Sequence, residues 1–146
     1  MNPSRYNKER HDYGISQQTA ILPFLQSYLG ETITQTTAFY DTIDGKTATR
    51  DIEIKSRTPN YHYTQSFMKS GWLIPACKIQ HARKSGRPFV CFYHWKSDES
   101  VWEFVFSEEA MEGLESFVPP WHKEQQPHFL VPQNRWRCIR APKCLL

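Results

Sequence analysis

Hydrophobic and polar positions alternate along this chain in two different periods. Residues 87–96 (RPFVCFYHWK) form an almost continuous apolar and aromatic run, which predicts a central strand buried on both faces. Residues 101–106 (VWEFVF) follow a polar turn at 97–100 and predict its partner, with Val101, Glu103 and Val105 on one face. Within 39–57 (FYDTIDGKTATRDIEIKSR), Phe39, Asp41 and Ile43 alternate with Tyr40 and Thr42. Further on, Ile52 and Ile54 alternate with Asp51, Glu53 and Lys55, so the stretch predicts a hairpin. Asp44-Gly45, followed by polar residues, is the dipeptide expected at its turn.

Helical spacing appears in three places. Ile21, Leu25 and Tyr28 share a face extended by Leu22 and Leu29, between a capping Ser16 and a terminating Gly30. Pro23 marks a kink or the start of that helix's second half. Residues 75–85 (PACKIQHARKS) predict a second helix with a narrow stripe of Ile79 and Cys77 or Ala82, stopped by Gly86. A third is expected from Ser107, with Glu108 and Glu109 in its first turn and Met111, Leu114 and Phe117 as its apolar set. Residues 128–131 and 135–140 are short strand-like pieces. This order predicts an α/β or α+β fold with a mixed central β-sheet flanked by helices. Residues 1–14 are expected as a polar arm and 15–146 as one domain.

Composition narrows the class. The 146 residues are 39% hydrophobic, 14% aromatic and 23% charged, which is globular rather than disordered. A net charge of +3 permits nucleic acid as a partner without demanding it. No apolar run approaches the ~18 residues of a membrane span, and the polar N-terminus has no signal-peptide core. The expectation is a soluble intracellular protein, cytoplasmic or nuclear, with a phage- or virus-encoded origin also in keeping. Cys77, Cys91, Cys138 and Cys144 have neither C-x-x-C nor finger-like His spacing, which argues against structural zinc. They are expected as free thiols, with Cys77 and Cys91 buried. A Cys77–His81 nucleophile and base has no accompanying oxyanion site, and no P-loop or dinucleotide glycine pattern is present.

The chemistry concentrates in the hairpin. If its turn centres near Thr47, Asp41 lies opposite Glu53, where cross-strand side chains come within about 5 Å. Two carboxylates and the Lys55 ammonium then converge as a candidate divalent-metal site. Asp44 competes with Asp41 for this place, but Asp-Gly is what a turn demands, so Asp41 is favoured. An ordinary solvated strand face is the alternative reading of Asp51, Glu53 and Lys55.

An Asp, a short gap and then Glu-x-Lys on the next strand resembles the PD-(D/E)XK nuclease superfamily, with its restriction-endonuclease-like and resolvase-like members. The matching residues are Asp41, Glu53 and Lys55; Tyr40 stands where the motif has proline. The resemblance covers about residues 37–106 and implies a restriction-endonuclease-like core. It implies a Mg²⁺-dependent deoxyribonuclease, with Mn²⁺ as a substitute. Asp41, Glu53 and the Ile54 carbonyl would hold the ion. The ion would lower the pKa of a bound water and stabilise charge growing on the phosphate. Lys55 would orient that water, and two nearby carboxylates would keep it charged.

In the resembled fold the helix before the sheet often supplies an acid near the metal. Gln17 or Gln18 would stand there as a neutral contact, or face solvent. The helix after Glu-x-Lys would present Lys78 toward the site. Arg57, Lys78, Arg83, Lys84 and Arg87 are the candidate contacts to DNA phosphates, or else a solvated basic face. Tyr61, Tyr63 and Phe67 either stack bases or pack. Cutting both strands of a duplex would favour a homodimer. The rival readings are a catalytically inactive nucleic-acid-binding protein on the same fold and a protein-interaction domain using the Tyr- and Trp-rich surface.

Overall fold

A computed structural model describes residues 5–36, 43–57, 71–120 and 125–143, the side chains of 5–15 and 17 excepted. Its centre is the strand expected from the long apolar run, β5 (Phe89–Trp95), in which only His94 is not fully buried. Strand β3 (Asp51–Arg57) lies parallel to it on one side, with Glu53 opposite Cys91 and Lys55 opposite Tyr93. Strand β6 (Ser100–Val105) pairs antiparallel on the other side. With β1 (Thr34–Gln35), β2 (Gly45–Lys46) and β9 (Arg137–Arg140) the order is β1-β2-β3-β5-β6-β9, a mixed sheet. Parallel neighbours need a crossover, and helix α2 (Ala76–Ser85) lies in the chain between β3 and β5.

The period-2 alternation sorts the core into two halves. Val90, Phe92, Ile52 and Ile54 pack with Ile21 and Leu25 of helix α1 (Arg5–Leu29). On the opposite face Cys91, Tyr93 and Trp95 pack with Ile79 and Ala82 of α2 and with Trp72, Phe129 and Trp136. Each half removes several large side chains from water, worth about 1.5–3 kcal/mol apiece. The fold is therefore mixed α/β with its sheet covered on both faces, as the element order predicts.

Several elements differ from expectation. Helix α1 starts at Arg5 rather than near Ser16, so most of the expected arm is helical, and it runs through Pro23 on an exposed position. Gly30, at φ 68°, ends it by donating to the Gln26 carbonyl at 2.9 Å. The helix expected from Ser107 is a run of turns instead. Ser107 Oγ accepts from Ala110 N–H at 2.9 Å, but only Met111 of the apolar set is buried. Gly113, at φ 79°, then breaks the chain toward β7 (Ser116–Phe117). Of the two cysteines expected inside, Cys91 is buried and Cys77 is exposed, because the stripe of α2 uses Ala82 instead.

The strand β4 (Trp72–Pro75) was not expected from the sequence. It pairs with β8 (His128–Val131), which pairs in turn with β7, in a second three-stranded sheet. Trp72 stacks on Tyr93 at 5.5 Å between ring centres, joining the two sheets. Gly71 makes this approach feasible. At φ 122°, a Cβ there would lie 2.2 Å from the Val131 carbonyl oxygen. Gly71→Ala is thus expected to cost about 2 kcal/mol or more, read as a lowered urea midpoint with an unchanged slope.

Candidate active site

Strand β3 places Asp51, Glu53, Lys55 and Arg57 on the face that α2 covers, because Ile52 and Ile54 are claimed by α1 on the other. The turn before it spans Thr47–Arg50. Thr47 N–H donates to the Arg50 carbonyl at 2.8 Å, and Thr47 Oγ1 accepts from the N–H groups of Thr49 and Arg50. Asp44-Gly45 is therefore part of the ladder, not the turn. Gly45 pairs with Ile52, and Asp44 N–H donates to the Ile52 carbonyl at 3.0 Å. That register sets Asp44 beside Glu53, three positions from the pairing that the sequence suggested for Asp41. Asp41 itself lies outside the described residues.

The four groups that meet here are tightly linked. Asp44 Oδ2 accepts the Ile54 N–H at 2.7 Å, and the Asp44 carboxyl hydrogen-bonds that of Glu53. Glu53 is 1% exposed. Its Oε1 lies 3.3 Å from Lys55 Nζ and its Oε2 lies 3.1 Å from Lys78 Nζ, one ammonium on each oxygen. Burial raises the Asp44 pKa first, and the charge of Glu53 adds to it, to about 7. Burial would raise Glu53 too, but Lys55, the Asp44 hydrogen bond and Lys78 together hold it below its ordinary value. Asp44 thus carries the shared proton and Glu53 the charge. For Lys55, burial works against the ammonium, but the attraction of Glu53 outweighs it and raises its pKa. The lysine stays charged, as the sequence suggested.

Asp44 and Glu53 are the two carboxyls here that could hold a hard divalent cation, and each Glu53 oxygen already lies against an ammonium. Two adjacent carboxyls that can ionise together only at a cost are what a cation relieves, and oxygen is the ligand such ions take. Asp44 and Glu53 would hold it. The Ile54 peptide lies at the same spot, its N–H already on Asp44, which leaves the Ile54 carbonyl as a candidate third oxygen. Among the described residues there is no group of three or more His, Cys, Asp or Glu side chains around one point.

The other expected site residues divide. Lys78 is brought in from the first turn of α2. Arg57 sits at the end of β3, close enough for its charge to act on Lys55. Arg87 is tied down instead, with Nε 3.0 Å from Asp51 Oδ1 and Nη2 3.1 Å from the Thr47 carbonyl. It braces the turn under β3. Arg83 is held by both oxygens of Glu108, at 2.7 and 3.0 Å, and Lys84 is exposed near the far end of α2. Gln18 accepts from Gln35 Nε2 at 3.2 Å, on the β1 side, and the Gln17 side chain lies outside those described. Tyr61, Tyr63 and Phe67 also fall outside the described residues.

Sequence reasoning weighed His81 only as a base for Cys77, but its Nε2 lies 3.2 Å from buried Asp51. Cys77 is exposed and His81 is engaged with Asp51, so neither is arranged as nucleophile and base. The Cys91 thiol, opposite Glu53 on β5, is pushed up by burial and is inert. No helix among the described residues is long and apolar enough to cross a membrane. Comparison with protein families, with curated proteins and with solved structures finds no match to this chain.

Proposed function

We propose that this chain is a Mg²⁺-dependent nuclease acting on DNA, of the PD-(D/E)XK kind, with Asp44, Glu53 and Lys55 as its motif residues. The observation that carries this reading is the Asp44 carboxyl against buried Glu53, with Lys55 two residues along the same strand face. The crossover from β3 through α2 to parallel β5 supports it, since the resembled core also has a helix after the Glu-x-Lys strand. In this assignment Ile43 stands where the motif has proline.

A bound Mg²⁺ would supply a water of lowered pKa and positive charge for the phosphate. Asp44 and Glu53 would hold the ion, with the Asp44 carboxyl oriented by the Ile54 N–H that it accepts. Lys55 keeps its proton beside Glu53, so it orients the attacking water and stabilises phosphate charge rather than acting as a base. Arg57, further along the strand, would be the contact to the DNA backbone. A single site of this kind cuts one strand, so cleavage of both strands of a duplex would call for a homodimer.

The test is cleavage of single-stranded, duplex and branched DNA with Mg²⁺, Mn²⁺ or EDTA. Wild type is expected to cut one of them only with metal. Asp44→Ala and Lys55→Ala are each expected to lose at least about a hundredfold, and Asp41→Ala less than about tenfold. One observation favours an inactive DNA-binding protein: both oxygens of Glu53 already have an ammonium partner. Salt-dependent DNA binding with no cutting and no bound metal would establish that alternative.

A further inference from the structure

We propose that Arg140 and His94, flanked by Arg57 and Lys96, form a phosphate site that grips the DNA backbone at one end of the mixed sheet. The inference rests on the DNA partner of the reading above, not on cutting, and adds where the backbone is held. Strand pairing brings these residues together. Arg57 is opposite Trp95, Trp95 is opposite Ser100, and Val101 is opposite Arg140. Lys96 N–H donates to the Arg57 carbonyl at 2.9 Å. The ends of β3, β5 and β9 and the start of β6 therefore share one rim. Ligands of open α/β sheets bind outside the carboxyl ends of the parallel strands, which is where Arg57 and Lys96 lie.

The Arg140 guanidinium is fixed by the fold. Its Nε donates to the Glu99 carbonyl at 2.7 Å, and its Cζ lies 4.7 Å from the centre of the Phe24 ring. Its Nη2 lies 3.3 Å from His94 Nε2. Arginine can only donate, so Nε2 accepts and the imidazole is neutral, with its proton on Nδ1 toward Ser56 Oγ at 3.5 Å. An anion seated against both groups would let the ring take a second proton beside the guanidinium. Burial first, and Arg140 next, hold the His94 pKa below its ordinary value; Lys96 adds to this, while Glu99 and Asp98 oppose it. On the same face β3 presents the Ser56 hydroxyl and α1 presents Phe24, neither of them charged. The nearby acids are engaged within the chain: Glu99 pairs with Lys143, and Asp98 accepts the Ser100 N–H at 2.9 Å. Arg57, Lys96, Arg140 and Lys143 against Asp98 and Glu99 leave this rim with an excess of positive charge, which a phosphate backbone matches. On α2 and just beyond it, by contrast, Arg83 and Arg87 are each paired with a carboxylate.

The test is fluorescence anisotropy of a labelled DNA oligonucleotide with the full chain in EDTA, across salt concentration at pH 8 and pH 6. Arg140→Gln is expected to weaken binding about tenfold and to flatten the plot of log affinity against log salt by one phosphate's share, about 0.7–0.9. Lys96→Gln should flatten it likewise, and Arg140→Lys should keep the slope. Arg83→Gln, whose partner is Glu108, should stay within about twofold of wild type. Wild type should bind at least about threefold more tightly at pH 6 than at pH 8. His94→Gln should lose at least about half of that gain, although Asp44 still titrates in it. A merely structural Arg140 would change stability and leave the salt slope alone. If Arg140→Gln does not fold, Lys96→Gln and His94→Gln provide the same readouts. Unchanged slopes in the Arg140 and Lys96 variants, or a pH gain that His94→Gln keeps in full, would overturn the proposal and leave the nuclease reading standing. The expected slopes with no cutting in Mg²⁺ would support the phosphate site and sink the nuclease reading. A wild type that binds no DNA would overturn both.

Discussion

Replacing Glu53 by alanine is expected to destabilise the metal-free protein by about 3–5 kcal/mol, the range for removing one partner of a buried ion pair. Glu53 is 1% exposed and is the common partner of Lys55, Lys78 and Asp44. Without it, two ammoniums face each other across a cavity, and the Asp44 carboxyl loses its hydrogen-bond acceptor. The lysines retain some exposure, 21% and 14%, so part of the repulsion relaxes into water and the lower end of the range is favoured. Urea unfolding in EDTA measures the loss. Glu53→Gln keeps the volume but not the charge, and should lose less. A Glu53→Ala change below about 1 kcal/mol would show that the carboxylate is not the centre of this network.

Asp44→Asn should act in opposite directions on activity and stability. Asparagine can still accept the Ile54 N–H through Oδ1 and donate to Glu53 through Nδ2, so it reproduces the hydrogen bonds of the protonated acid. It cannot become the second carboxylate of a metal site, so cleavage should fall at least about a hundredfold. The stability effect follows from the raised pKa. Folded, the Asp44 carboxyl holds its proton to about pH 7, against an ordinary value of 3.8. The folded state therefore binds more protons than the unfolded state between those values. Stability from this group is complete below about pH 4 and is lost as pH rises to 7. Glu53 has the opposite sign. Its lowered pKa adds stability above its unfolded value, and that stability is lost as pH falls, below most of the Asp44 window.

In EDTA, then, Asp44→Asn should match wild type near pH 4 and exceed it by about 4 kcal/mol at pH 8. Adding Mg²⁺ should stabilise wild type at pH 8 and leave the variant unchanged, because only the ionised pair binds the ion. Thermal unfolding across pH, with and without metal, gives all four curves. A wild type as stable as the variant at pH 8 without metal would mean that the Asp44 carboxylate is not desolvated against Glu53.

Local pattern alone was enough for much of this chain. The unbroken apolar run of β5 needed cover on both faces. Ile52 and Ile54 alternate with Asp51, Glu53 and Lys55, and Gly86 stops a helix that begins after Pro75. These features depend on neighbours along the chain, so periodicity and capping determine them. Glu53 and Lys55 were likewise legible on one strand face, whereas Lys78 was expected there only through the nuclease resemblance. The choice between Asp41 and Asp44 was not legible. It turns on hairpin register, and Asp44-Gly45 has the composition of a turn while Thr47–Arg50 forms the actual one through the Thr47 hydroxyl. A three-residue shift in pairing changes no local propensity; it changes only which carboxyl meets Glu53. Tertiary contacts decided the rest. Arg87 and His81 are drawn onto Asp51, Arg83 is drawn onto Glu108, and Trp72 joins to the core a second sheet of which only β8 was expected. Hydrophobic period says which face of an element is buried, but a buried charge is placed by the partner that neutralises it, and that partner lies far away in sequence.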